Sequence, residues 1–150
     1  MTTATDTPAR ATSGQLATFR LDGDLYGVEV EHVQEVLRSQ GLTRVPLAPP
    51  AVAGLINLRG QVVTAIELRE RLGRPPRPAG TDAVVIVVRL HGEAVSLLVD
   101  SIADVVDVDA DDFETPPDTL DGQARELIRG AYKLDGKLLL ALDVQKAVGA

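Results

Sequence analysis

The residues able to do chemistry are few. The chain has two histidines, four serines, one acidic run and one oddly placed arginine. A metal site needs imidazoles and carboxylates that converge. His32 follows Glu31 and His91 precedes Gly92; the two fall in non-equivalent places, and neither has a second histidine at ligand spacing, so no metal is expected. A phosphorelay histidine would sit on a long helix, whereas the sequence around His32 is β-rich. None of Ser13, Ser39, Ser96 and Ser101 lies in a Gly-x-Ser-x-Gly elbow, and the glycines form no phosphate-binding or dinucleotide fingerprint. "DVDADDFE", Asp107 to Glu114, alternates aspartates as a calcium loop does, but Asp112 stands where that loop requires Gly, and Glu is missing from the twelfth place. No enzyme and no cofactor are expected.

The arginine lies in "AGLINLRGQVV", Ala53 to Val63. Apolar runs flank Arg59-Gly60, which reads as a two-residue β-hairpin turn. The first residue of such a turn commonly needs φ > 0, which Asn and Asp tolerate better than a long side chain. On the residues alone Arg59 is either a tolerated, solvated turn residue or a guanidinium placed for a partner. Its chemistry would be fork-like recognition of a carboxylate.

Composition narrows the classes further. The 150 residues carry a formal net charge of −7, with no Cys, no Trp, two Phe and two Tyr. Nucleic-acid binding wants a basic face and stacking aromatics, so a nucleic-acid-binding SH3-like barrel protein is a remote alternative. Thiol chemistry is impossible. "MTTATDTPARATSG" reads as a disordered tail over residues 1–14, without a signal-peptide core. "AVVIVV", Ala83 to Val88, is too short to span a bilayer. A cytoplasmic protein without direct membrane insertion is expected.

These residues must be positioned by turns and short strands. Asp22-Gly23, Arg59-Gly60, His91-Gly92 and Asp135-Gly136 each separate β-rich runs, predicting four hairpins. Val33, Val36 and Leu37 in "EHVQEVL", and Ile102, Val105 and Val106 in "DSIADVV", have helical spacing and predict two short helices. The chain also repeats itself. Val30 to Val99, Val33 to Ile102 and Val36 to Val105 are each 69 apart; Gly54 to Gly130, Gly60 to Gly136 and Glu67 to Asp143 are each 76 apart. A seven-residue insertion around "DTLDGQA" accounts for the difference. An internal duplication of short strands and tight turns predicts an all-β fold with short helices, two five-stranded SH3-like barrels side by side. The expected bounds are about 15–73 and 82–148, joined through the proline-rich "GRPPRPAGT". At the place of Arg59 the second unit has Asp135, so "KLDGK" obeys turn preference where "NLRGQ" breaks it.

"QEVLR" (34–38), "VPLAPPAVAGLINLRGQVVTAIELRERL" (45–72) and "LLVDSIADV" (97–105) occur in an order that resembles the chemotaxis coupling proteins of the CheW family, over about residues 15–148. The resemblance implies two SH3-like barrels and a non-enzymatic adaptor. Its partners would be chemoreceptor cytoplasmic tips, the regulatory domain of the histidine kinase CheA, and other couplers in rings. It would be recruited from the cytoplasm to membrane-associated receptor arrays. A coupling protein of a related surface-motility or second-messenger pathway is the nearest alternative. At matched positions the resemblance marks Arg59, with Asn57 and Gly60 of the same turn, and Glu35 as the acidic residue able to pair with Arg59. Val36, Leu37, Val99 and Ile102 are candidates for lining an inter-barrel groove that takes the receptor helix, with Val33 the residue best read as core. Thr64 replaces the family's proline and Glu67 its aspartate. With no receiver domain in the sequence, a stand-alone coupler is expected.

Overall fold

The computed structural model describes residues 14–38, 42–78, 82–116 and 122–148. The expected tail, apart from Gly14, lies outside these residues, as does part of the predicted insertion. Twelve strands follow in order: β1 (Gly14–Leu21), β2 (Asp24–Glu29), β3 (Val33–Arg38), β4 (Leu42–Thr43), β5 (Val52–Leu58), β6 (Gln61–Glu67), β7 (Val84–Leu90), β8 (Glu93–Val99), β9 (Ser101–Val108), β10 (Phe113–Glu114), β11 (Ile128–Leu134) and β12 (Lys137–Leu142). Three short helices, α1 (Leu68–Arg71), α2 (Gly122–Leu127) and α3 (Val144–Val148), complete the described chain.

The strands form two sheets, ordered β10-β11-β12-β2-β1-β9 and β3-β7-β8-β6-β5-β4. Each holds five strands of six to eight residues and one two-residue strand. The end strands of each sheet are neighbours in sequence: β9 leads through a 3-10 turn, Ala110–Asp112, into β10, and three residues separate β3 from β4. An open sheet cannot have its two edges joined so tightly, so each curls into a barrel. Matched glycines let the short end strands close in. A Cβ on Gly54 would lie 2.3 Å from the Thr43 carbonyl oxygen, and one on Gly130 would lie 2.3 Å from the Phe113 ring.

Two expectations need correction. The helical spacing of "EHVQEVL" and "DSIADVV" is not used: apart from a 3-10 turn at Val30–His32, both segments are strands, β3 and β9. In β3 the alternation wins, with Val33, Glu35 and Leu37 half-buried and Gln34, Val36 and Arg38 exposed, as befits β-branched residues on a pleated surface. The repeated helix instead follows β6 and β12, where Glu67 and Asp143 accept hydrogen bonds from the backbone N–H groups of Arg69 and Lys146.

The barrels also do not divide at the proline link. Hairpin β1–β2 belongs to the sheet of β9 to β12, and hairpin β7–β8 to the sheet of β3 to β6. The seams are parallel, Leu25 to Gly27 against Leu139 to Ala141 and Ser96 to Leu98 against Ala65 to Glu67. Each half thus lends its first hairpin to the other.

Strand alternation then sorts the core. Leu16, Leu25, Tyr132 and Leu139 fill one barrel, and Ile56, Ala65, Val85 and Val87 fill the other. The opposite faces of the same strands, including Phe19, Tyr26, Val28, Ile86, Val88, Leu97, Leu140 and Leu142, pack barrel against barrel. Among the described residues this layer holds twenty buried side chains, against six and five inside the barrels, so burial of apolar area holds the barrels against each other.

Candidate partner-binding site

Arg59-Gly60 closes the β5–β6 hairpin, with Leu58 opposite Gln61. Arg59 has φ 52° and Gly60 has φ 85°, the geometry of a type I′ turn. The Asn57 side chain accepts a hydrogen bond from the Gly60 N–H at 2.9 Å and holds the turn from within. Asp22 and His91 also have positive φ in their turns, but Asp135 does not. The turn preference noted in the sequence is therefore inverted: the aspartate suited to the left-handed region is not in it, and the arginine is.

From this turn Arg59 reaches Glu35 on β3 as a two-pronged fork, Nη1 to Oε2 and Nη2 to Oε1, both 2.7 Å. The strand order places β3 at one edge of its sheet and β5 next to the other, so the fork spans the barrel seam. The Arg59 side chain remains 76% exposed while that of Glu35 is 17% exposed. Glu35 is therefore a seated anchor that aims an accessible guanidinium. Energetically the arrangement does not serve the fold. A left-handed conformation costs a non-glycine residue roughly 1–2 kcal/mol, and an exposed ion pair returns about 0.2–1 kcal/mol.

The other candidates separate. Val36 adjoins Glu35 on β3 and is exposed. Leu37 is half-buried against the barrel interior. Ile102 is exposed on β9, the edge strand of the other sheet, with Val105 beside it. Val99 is fully buried in the layer between the barrels; its proposed exposure to a partner is corrected, and it is core. Thr64 pairs with Leu55 in an unbroken β6.

A second arginine system went unread in the sequence. Arg69, on α1 and only 7% exposed, donates from Nε and Nη2 to both oxygens of Asp100, at 2.9 and 2.6 Å, and from Nη1 to the Pro75 carbonyl at 2.8 Å. Arg77 pairs with Glu67 at 2.8 Å and with Asp100 at 3.2 Å. Arg74 meets Asp24 and donates to the Tyr26 hydroxyl at 3.0 Å. The Arg69 hydrogen bonds hold the Asp100 carboxyl at about 2, well below the usual range, against the opposing effect of its burial. Four arginines in the nine residues 69–77, around Gly73, Pro75 and Pro76, were the available signal. What local sequence does not give is the position of Asp100, supplied by the other half.

The histidines, non-equivalent in sequence, border one cleft of about 450 Å³ together with Glu29, Arg129 and Asp143. Glu29, Glu31 and His32 bring potential ligand atoms within 4.8 Å of one another. Glu29 there faces the Arg129 guanidinium at 3.6 Å, so its charge is already answered by a cation. No helix among the described residues is long and apolar enough to cross a membrane.

Residues 15–150 match the family model of the CheW-like domain. The chain is similar to the chemotaxis protein CheW of Treponema pallidum, 29% identical over 136 residues that cover 88% of this chain and 80% of that protein. It is similar to the chemotaxis protein CheW of Bacillus subtilis, 30% identical over 132 residues, with 88% and 85% covered. The crystal structure of the scaffolding protein TtCheW from Thermoanaerobacter tengcongensis superposes with a TM-score of 0.78 at 29% identity, covering 88% of this chain and 90% of that one.

Proposed function

The chain belongs to the CheW-like family, and on that premise we propose that it is a non-enzymatic adaptor coupling chemoreceptor tips to the histidine kinase CheA. The observation that carries this reading is the Arg59 fork: a strained turn residue, aimed by Glu35, whose guanidinium stays open to solvent. Strain without a stabilising return is expected where a residue serves recognition. An aimed guanidinium offers a partner carboxylate or backbone carbonyl a pre-organised donor set. Val36 beside it and Ile102 on the other sheet's edge supply apolar contact for a partner helix or barrel.

The mechanism is geometric. The buried layer between the barrels makes the adaptor rigid, so partners on its surfaces keep a fixed relation and a shift in one changes the placement of the other. No single contact need be strong. Micromolar contacts, about −8 kcal/mol each, suffice, because an array raises effective concentration. Recruitment to a membrane-associated array would follow from the partners, not from insertion.

Autophosphorylation of the cognate kinase in receptor-containing membranes tests this. It is measured without coupler, with this protein, and with Arg59→Ala. The wild type is expected to confer receptor control, and the folded variant to lose most of it. Equal control by both removes Arg59 from the interface; no effect of either, with no binding, removes the adaptor reading.

A further inference from the structure

The reciprocal loan of hairpins has a consequence for self-association. Neither half completes a sheet. Residues 14–78 supply β1 to β6, but β1–β2 finds its neighbours β9 and β12 only in residues 82–148; β7–β8 likewise finds β3 and β6 only in residues 14–78. The layer between the barrels is drawn from both halves. The polar clasps cross the same boundary: Arg69 to Asp100, Arg71 Nε to the Ala147 carbonyl at 3.0 Å, and Gln123 Nε2 to the Glu70 and Arg71 carbonyls, both at 2.8 Å. The sheets, the buried layer and these clasps each join one half to the other, and only one covalent link requires the two halves to be on the same chain.

We propose that a second copy of this chain can supply the partner half, giving a dimer in which residues 14–78 of each copy complete the sheets of residues 82–148 of the other. The link decides the cost. Arg69, Arg74 and Arg77 tie residues 74–77 back to Asp22, Asp24, Glu67 and Asp100, and these contacts are the same in either form. Only the link between Arg77 and Val84 need differ. Six residues reach roughly 20–22 Å when extended, and Pro78 favours extension. All other contacts being equal, the two forms differ by the hinge and by protein concentration, as exchanged dimers do.

Two experiments on the full chain test the exchange. Deleting Ala79, Gly80 and Thr81 cuts the greatest reach of the link over 78–83 to roughly 10–11 Å. Size-exclusion chromatography with light scattering is expected to give about twice the monomer mass at all concentrations; a folded monomer overturns the proposal. Should that variant not fold, complementation decides. One chain carries Phe19→Asp with Val28→Asp, the other the matched Val88→Asp with Leu97→Asp, each charging the buried layer from one half only. Refolded alone, each loses its β-sheet circular dichroism. Refolded together, they are expected to regain about half the wild-type signal as a heterodimer, since one of its two bodies holds only intact halves. A mixture no better than its components overturns the exchange.

Discussion

Two arginines each grip a carboxylate with both prongs, Arg59 on Glu35 and Arg69 on Asp100. The first side chain is 76% exposed and the second 8%. The first lies within one sheet and its loss would uncover little. The second joins the two halves, turns its remaining nitrogen, Nη1, to the Pro75 and Pro76 carbonyls, and leaves Asp100 also accepting from the Asp22 N–H at 2.8 Å. The same chemical pair is a surface device in one place and a structural rivet in the other. Solvent access decides which, because water competes for the exposed pair and leaves a buried charge costly once its partner is gone.

Removing each arginine should pull the two apart. Arg69→Ala should have the largest effect. It strands Asp100 beside Arg77 with part of its charge unanswered, and a loss of about 3 kcal/mol is expected in urea unfolding, the low end for a broken buried pair because Asp100 keeps some contact with water. Acid should reach the same rivet. The folded carboxyl titrates at about 2 against an ordinary 3.8, so the unfolded chain takes up its proton first. The contribution is whole above about pH 4 and is lost as pH falls toward 2. Thermal melts across that window should decline in the wild type, and less steeply in Asp100→Asn. Arg59→Asn should have the smallest effect on stability, within about 1 kcal/mol and of either sign, since Asn relieves backbone strain while the exposed pair is lost. Its effect should appear in kinase coupling instead. A cooperative loss of several kcal/mol in Arg59→Asn would make the surface fork a second rivet and break the comparison.

Much of this was legible before the structure. The offsets of 69 and 76 residues mark the duplication because matched turns and glycines recur, and the Arg59 turn was visible as a local rule under strain. The helical reading of "EHVQEVL" failed because Val33, Val36 and Leu37 satisfy a helical spacing by accident, while the strand paired with β7 turns Val33, Glu35 and Leu37 to its half-buried face. Val99 could not be sorted from Ile102 by hydropathy, since both are apolar and only the facing barrel distinguishes them. The Arg69 rivet and the exchange of hairpins were illegible for one reason: each depends on which distant strand pairs with which, and local pattern does not encode that.

The hairpin exchange also sets when this protein can begin to be itself. Leu25 pairs with Leu139, 114 residues later. At ribosomal rates of about 5–20 residues per second, the first hairpin waits roughly 6–23 s for the strand that flanks it. Throughout synthesis, Phe19, Tyr26 and Val28 lack the layer that will cover them. Such distant pairings fold slowly, and a chain cut short before β12 holds every strand of the β3-β7-β8-β6-β5-β4 barrel but not the complete second sheet that covers its outer face. The swap that locks the two barrels together therefore makes the nascent chain dependent on protection until its last strand emerges.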